Sequence, residues 1–167
     1  PESIVRYISA KLSDILIVNG IDQMNQLKAW RVRGNIVEIS QNTIYESVVN
    51  EELSEKESRD IVLVSIHRTE NLNNKKNLGL LVQNLISMSK NFDVIWCLHI
   101  PTKNKLKKYD FYDELVKNKI KLKDLIPYQK FLTLLNNSEF VITDGGGVVE
   151  ECRIIGTPTL VWREEHL

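Results

Sequence analysis

The sequence has few cysteines, no excess charge of either sign and no long hydrophobic run, and each shortage excludes a class of protein. Its two cysteines, Cys97 and Cys152, lack Cys-x-x-Cys spacing, which excludes a disulfide scaffold and a cysteine-based zinc site. Lysine and arginine total 22 and aspartate and glutamate total 22, and this balance argues against an electrostatic nucleic-acid binder. No stretch approaches the roughly 20 apolar residues of a membrane-spanning helix. We therefore predict a cytoplasmic chain without a nucleic-acid partner or membrane insertion.

What is present is a globular composition, with 167 residues of which 43% are hydrophobic and 26% charged. This length has room for one ordinary domain and a piece of another. The sequence begins at Pro1 rather than Met and stops at Leu167, just past an apolar run. These ends lead us to predict a piece of a longer protein.

Short apolar runs alternate with longer segments of helical period, which is typical of βαβ units and a parallel sheet. The predicted fold class is α/β, a Rossmann-like parallel sheet flanked by helices. We predict that residues 1–40 end a preceding Rossmann-like domain, that 41–60 form a hinge or linker, and that 61–167 form a Rossmann-like domain lacking its final helices. The predicted strands are 14–18, 36–39, 61–64, 93–98, 120–126 (a strand with a turn), 140–143 and 159–162. The predicted helices are 3–12, 22–33 (capped by Asp22 and stopped by Gly34), 77–88, 102–117, 128–136 and 148–155.

A glycine-rich segment, residues 143–151, follows one predicted strand and opens a helix. Consecutive glycines at 145–147 let the backbone approach a ligand, and a helix N-terminus suits a phosphate or pyrophosphate. Glu150 and Glu151, one turn inside the helix, can accept hydrogen bonds from ribose hydroxyls. The alternative is a tight strand-to-helix turn whose glutamates favour the helix start. The segment matches neither the Gly-x-Gly-x-x-Gly fingerprint nor a P-loop.

A second polar segment, residues 65–71, directly follows the predicted strand 61–64. Open α/β sheets place their sites at such strand ends. His67 can act as an acid, a base or a phosphate donor, and Arg68 as an anion clamp. A polar loop with a helix cap at Asn71 would give the same pattern.

Other candidates have simpler readings. Glu2 and Arg6 are spaced i, i+4 on a predicted helix, which from spacing alone indicates an exposed ion pair. Phe131 is either a core aromatic or a base-stacking one, and His99 either approaches a ligand or is structural. The lysine-rich stretch 103–123 is interpreted as a solvated face because it lacks interleaved stacking aromatics.

Taken in order, these segments resemble the UDP-N-acetylglucosamine 2-epimerase family of non-hydrolysing type, with its glycosyltransferase-B fold. That family carries a Pro-Glu-Glu-x-Asn-Arg segment, then Thr-x-His-Arg-x-Glu-Asn, then Asp-Ser-Gly-Gly-x-x-Glu-Glu. The matching residues here are Pro1, Glu2 and Arg6; Ser65, His67, Arg68, Glu70 and Asn71; and Asp144, Gly146, Gly147, Glu150 and Glu151. The resemblance covers essentially the whole chain and implies the C-terminal half of the fold plus the tail of the first domain.

The resemblance implies a set of functional residues. Glu2 would be an acid/base carboxylate and Arg6 and His67 active-site neighbours of the reacting sugar. The implied UDP contacts are His67, Arg68, Phe131, Gly145, Gly146, Gly147, Glu151 and Arg163. The implied reaction removes the C2 proton of UDP-N-acetylglucosamine, eliminates UDP and adds it back with C2 protonated on the other face. The resemblance also implies a UDP-sugar substrate and a homodimer for the full-length protein. It implies no metal and no cofactor.

The chain departs from the family pattern at several positions. Ser3 and Val5 replace a glutamate and an asparagine, and Gly145 replaces the loop serine, which removes a hydroxyl donor to phosphate. After Arg163 the sequence reads Glu-Glu-His-Leu, so a second family arginine is unmatched. The alternatives are a glycosyltransferase of the same architecture, a hydrolysing 2-epimerase, or a non-catalytic nucleotide-sugar-binding protein. We expect the chain to be inactive alone.

Overall fold

The computed structural model describes residues 2–40, 42–53 and 60–163. The chain divides into two compact units, residues 1–47 and 48–167. This division lies inside the segment predicted as a hinge or linker, which also contains an unpredicted short helix, Thr43–Val49. The three-part division proposed from the sequence stays a prediction.

The first unit contains a helix followed by a βαβ arrangement, whose two strands form a parallel sheet. Its elements are α1 (Glu2–Leu12), β1 (Ile15–Val18), α2 (Ile21–Ala29) and β2 (Asn35–Glu38), with α3 (Thr43–Val49) at the boundary between the units. β1 and β2 pair from Ile15 opposite Asn35 to Val18 opposite Glu38. Ile15 and Ile17 are 64% and 66% exposed, so β1 is not the buried strand that its composition predicts. Side chains of β1 point alternately to its two faces. Among the described residues, only the face that carries Val18 is covered by other side chains.

Two details of α2 differ from the prediction. The N-cap is Gly20 rather than Asp22, which lies in the first turn, and the helix ends at Ala29 with Trp30 as C-cap. Gly34 is therefore not its stop. A Cβ at Gly34 would overlap the carbonyl oxygen of Ser13, so the glycine serves the close approach of two backbone segments where β2 begins.

The second unit is a five-stranded parallel sheet with helices between its strands. In chain order its elements are β3 (Ile61–Ser65), α4 (Thr69–Asn73), α5 (Lys75–Met88), β4 (Asp93–Leu98), α6 (Ile100–Lys108), α7 (Phe111–Lys117), β5 (Lys121–Asp124), α8 (Tyr128–Asn137), β6 (Ser138–Thr143), α9 (Gly146–Ile155) and β7 (Thr159–Val161). The single helix predicted over 102–117 is two helices, because Asp110 adopts a left-handed conformation with φ of 64°. Aspartate tolerates this conformation better than most residues. The short helix α4 was not predicted.

The core lies between the central strands and the helices packed on them. Val62, Leu63, Val64 and Trp96 are fully buried on β3 and β4. Helix α5 adds one apolar stripe at helical spacing, formed by Leu78, Leu81, Val82 and Leu85. This packing makes the central strands a rigid base for the loops that follow them.

The strand order is β5-β4-β3-β6-β7. From β3 the chain moves outward through β4 to β5, and α8 then returns it to β6, on the other side of β3. The order therefore reverses between β3 and β6. In open α/β sheets, ligands bind outside the carboxyl ends of the strands at such a reversal.

Candidate functional site

The two polar loops predicted from the sequence meet at this reversal. The loop after β3 carries His67 and Arg68, and the loop after β6 carries Gly145 and Gly146. Both line one cavity of about 460 Å³. His99, Tyr128, Phe131, Gly147 and Glu151 also line it. Its size lies in the range of small-molecule sites.

Asp144 ties the two loops together. Its carboxylate accepts hydrogen bonds from the backbone N–H of His67 at 3.0 Å, from the backbone N–H of Arg68 at 2.8 Å and from Asn71 Nδ2 at 2.9 Å. Asn71 Nδ2 also lies 3.0 Å from the carbonyl oxygen of Trp162. Asp144 is 1% exposed, so one buried carboxylate fixes the loop after β3 against the loop after β6.

The His67 imidazole lies between Asp144 and His99. Its Nδ1 is 3.3 Å from Asp144 Oδ1, a distance suited to an ion pair when the ring is protonated, although its angle is not that of a hydrogen bond. The two imidazoles stack with centroids 4.8 Å apart and planes inclined by 25°. Burial and then the neighbouring His67 lower the pKa of His99, while Asp144 acts in the opposite direction. His99 is therefore a neutral ring at neutral pH, stacked on the histidine that faces the cavity.

The glycine loop presents backbone to the cavity. Thr143 Oγ1 donates to the carbonyl of Ser65 at 3.0 Å and accepts from the N–H of Gly145 at 3.1 Å. Helix α9 then begins at Gly146, with Gly145 at its N-cap and no side-chain cap. Because the first N–H groups of a helix have no partner within it, this turn offers donors and the positive end of the helix dipole to an anion. A Cβ at Gly146 or Gly147 would meet none of the described residues within 4 Å, so the backbone there is open to a ligand.

Glu151 supplies a carboxylate on the same helix. It is 9% exposed, and burial raises its pKa, with Glu150 adding to the rise and a hydrogen bond from Tyr128 opposing it. The pKa of Tyr128 rises to about 12, first through burial and then through the charge of Glu151. The Tyr128 hydroxyl thus acts as a donor that holds the Glu151 carboxylate.

Sequence reasoning missed Tyr128. The available signal was its place three residues before Phe131, which puts both rings on one face of α8. Both line the cavity. Asp144 was recognised only as part of a motif, and its bonding to the other loop has no local signature.

The described residues that line this cavity include neither Arg6 nor Arg163. Arg6 lies on α1 in the first unit and is exposed, and the side chain of Glu2 lies outside the described residues. Arg163 follows β7, is exposed, and is absent from the described residues that line the cavity. The departures at 164–167 also lie outside the described residues.

The described parts of the chain contain neither a cluster of metal-binding side chains nor a membrane-spanning helix. No group of three or more histidine, cysteine, aspartate or glutamate side chains there is arranged to hold a metal ion. None of the helices in those parts combines the length and the apolar character needed to cross a membrane.

Comparison with known proteins identifies the family. The family model described as UDP-N-acetylglucosamine 2-epimerase matches residues 1–167. The chain belongs to the UDP-N-acetylglucosamine 2-epimerase family. The resemblance that the three ordered motifs indicate is therefore confirmed.

Individual relatives of the UDP-N-acetylglucosamine 2-epimerase family agree with this assignment. The enzyme of that name from Methanocaldococcus jannaschii is 30% identical over 98% of this chain and 49% of its own length. The one from Methanococcus maripaludis is 28% identical with the same coverage, 98% and 49%. The crystal structure of the M. jannaschii epimerase in complex with UDP-GlcNAc and UDP superposes with a TM-score of 0.82 at 30% identity, over 98% of this chain and 49% of that one.

The chain thus spans about half the length of the curated relatives it matches. This coverage agrees with the C-terminal portion that the sequence predicts. The predicted fold class, an α/β parallel sheet flanked by helices in the glycosyltransferase-B arrangement of the family, is also confirmed.

Proposed function

We propose that this chain supplies the UDP-binding part of a UDP-N-acetylglucosamine 2-epimerase. One observation carries the proposal. The backbone of the glycine loop, the His67 imidazole and the Glu151 carboxylate all face one cavity at the reversal of strand order. These are the group types that a diphosphate and a ribose require.

Each part of UDP has a matching group in the cavity. The diphosphate lies against the first turn of α9, where Gly146 and Gly147 offer N–H donors, with His67 and Arg68 beside it. The ribose hydroxyls donate to Glu151, and the uracil packs against Phe131. Placed N–H groups and one or two cationic side chains suffice for this ligand, so a chain of zero net charge can hold a dianion.

In the proposed reaction every bond that breaks forms again, and the substrate and the product differ only in configuration at C2. A base removes the C2 proton, the C1–O bond breaks and UDP departs, leaving a 2-acetamidoglucal. A UDP oxygen then bonds to C1 while C2 takes a proton on the opposite face. Donors that strengthen on the departing phosphate stabilise the elimination, and a carboxylate with a suitable pKa exchanges the C2 proton. We assign Glu2 and Arg6 to this chemistry, and Arg163 to a further phosphate contact.

Calorimetric titration with UDP tests the binding part. We expect weak binding by the unmodified protein and none by Glu151→Ala or Gly146→Val. Glu114→Ala, at an exposed carboxylate on α7, is the matched control and should bind as the unmodified protein does. No heat signal at millimolar UDP would refute the proposal.

Activity is tested separately by incubation with UDP-N-acetylglucosamine in deuterated water without an acceptor. We expect the 167-residue chain alone to leave C2 unlabelled, because it spans about half the length of the epimerases that it matches and so supplies only part of a cleft. Deuterium at C2, seen by NMR, would contradict this expectation. The homodimer that the resemblance implies for the full-length protein is tested by sedimentation.

A further inference from the structure

The space around Gly145, and not its backbone conformation, accounts for the glycine at this position. Its φ of −94° and ψ of 126° are ordinary extended values, which any residue adopts. A Cβ built on it, however, would lie 2.9 Å from Cε1 and 3.8 Å from Nε2 of His67. Carbon atoms in contact normally lie about 3.5–4.0 Å apart, so the imidazole fills the space that a side chain at 145 would need.

The His67 ring has little freedom to move away from that space. Its Nδ1 is buried 3.3 Å from Asp144 Oδ1, and the ring stacks on His99 with centroids 4.8 Å apart. The backbone of His99 is held in turn, because the residue is the N-cap of α6 and its carbonyl accepts from the N–H of Lys103 at 3.0 Å. A Cβ at 145 would therefore shift the imidazole from its place beside Asp144 and His99.

We propose that Gly145 is a positioning residue for His67, and that the imidazole takes the place of the missing loop serine as a phosphate donor. The proposal rests on the proposed function, since it deepens the contact between this loop and a nucleotide diphosphate. A serine hydroxyl at 145 would extend from the very Cβ position that lies 3.8 Å from His67 Nε2. When the ring carries a proton on Nε2, that N–H lies beside the first turn of α9, where the hydroxyl would otherwise offer its own.

This reverses the expectation for restoring the family residue. Gly145→Ser adds one donor but displaces another, because its Cβ disturbs the stacking of the His67 ring on His99. We therefore expect Gly145→Ser and Gly145→Ala to weaken UDP binding by about tenfold or more, the scale of one hydrogen bond to a charged group.

A double-mutant cycle with calorimetric titration of UDP tests the coupling. The variants are Gly145→Ala, His67→Ala and the pair together. Gly145→Ala should have no further effect once the His67 ring is gone. If Gly145→Ala fails to fold, the added His67→Ala change should restore folding, because it removes the one contact shorter than 3.0 Å that a Cβ at 145 makes with the described residues. Unchanged or tighter binding by Gly145→Ser, or equal losses from Gly145→Ala in both backgrounds, would overturn the proposal.

A second measurement needs no nucleotide. The Cε1–H NMR resonance of His67 should shift in Gly145→Ala, since the added methyl contacts that carbon directly. Gly20→Ala is the control, because its Cβ meets nothing within 4 Å. An unshifted resonance would refute the positioning role even if UDP binds. Failure of the unmodified protein to bind UDP would instead refute the proposed function, so the two failures can be told apart.

Discussion

Asp144 offers the sharpest test of how the candidate site is held together. Its carboxylate accepts from the N–H groups of His67 and Arg68 and from Asn71 Nδ2, and its side chain is fully buried. Asp144→Ala would leave three donors without their acceptor. Asp144→Asn keeps the shape but not the bonding. If the amide nitrogen occupies the Oδ2 position, it faces Arg68 and Asn71, and if it occupies the Oδ1 position, it faces His67.

The expected loss of stability follows from these bonds. A hydrogen bond to a charged group contributes about 1.5–3 kcal/mol, so three of them set an upper range of roughly 5–9 kcal/mol. The His67 side chain is 37% exposed, and water that reaches this edge can satisfy part of what is lost. We therefore expect Asp144→Ala to lower the free energy of unfolding by about 3–5 kcal/mol, the range for breaking one side of a buried charged pair. Asp144→Asn should lose about half as much, because one oxygen still accepts.

Urea unfolding followed by circular dichroism measures these differences. The matched control is Asp124→Ala, whose side chain is 75% exposed and pairs with Lys103 at 2.7 Å. An exposed pair of this kind contributes only about 0.2–1 kcal/mol. If Asp144→Ala and Asp124→Ala cost the same, Asp144 does not organise the two loops, and the reasoning above fails.

Three further predictions concern other parts of the structure. Tyr128→Phe removes a bond that lowers the pKa of Glu151, so UDP binding, titrated across acidic pH, should be lost at a higher pH than in the unmodified protein. Burial raises the pKa of Glu151, so the folded state binds its proton more tightly and stability falls as pH rises above the ordinary glutamate range; Glu151→Gln should then raise the melting temperature near pH 7 but not near pH 4, while UDP binding is lost. Gly34→Ala should lower the free energy of unfolding by about 1–3 kcal/mol, because the new Cβ overlaps the carbonyl of Ser13, whereas Gly20→Ala, with open space around it, should not.

The parts of the fold that the sequence predicts well are those with strong local signals. The prediction for β4, residues 93–98, matches the observed strand Asp93–Leu98, because a short apolar run bounded by polar residues is typical of a buried strand. The segment 120–126, predicted as a strand with a turn, contains β5 at Lys121–Asp124. The helices Thr43–Val49 and Thr69–Asn73 were missed because segments of five to seven residues are too short to show a helical period.

The site shows the same division between local and distant information. The glycine loop and the His67 loop were predicted because each shows a polar or glycine cluster directly after a strand. The bonds of Asp144 to His67 and Asn71 join residues 77 and 73 positions apart. The contact between Gly145 and the imidazole spans a similar distance along the chain. Such contacts depend on the sheet register, and no local pattern reveals them.

The pairing of β3 with β6 joins two strands that are synthesised several seconds apart, so it also affects when the sheet can be completed. The His67 N–H is synthesised 77 residues before the carboxylate that accepts its hydrogen bond. At translation rates of about 5–20 residues per second, roughly 4–15 seconds pass before Asp144 exists. Of the two strands that flank β3 in the sheet, only β4 exists during that interval. The edge of β3 that pairs with β6 therefore stays unpaired until β6 is made. The cavity in which we propose that UDP binds therefore forms late in folding, once the centre of the sheet is closed.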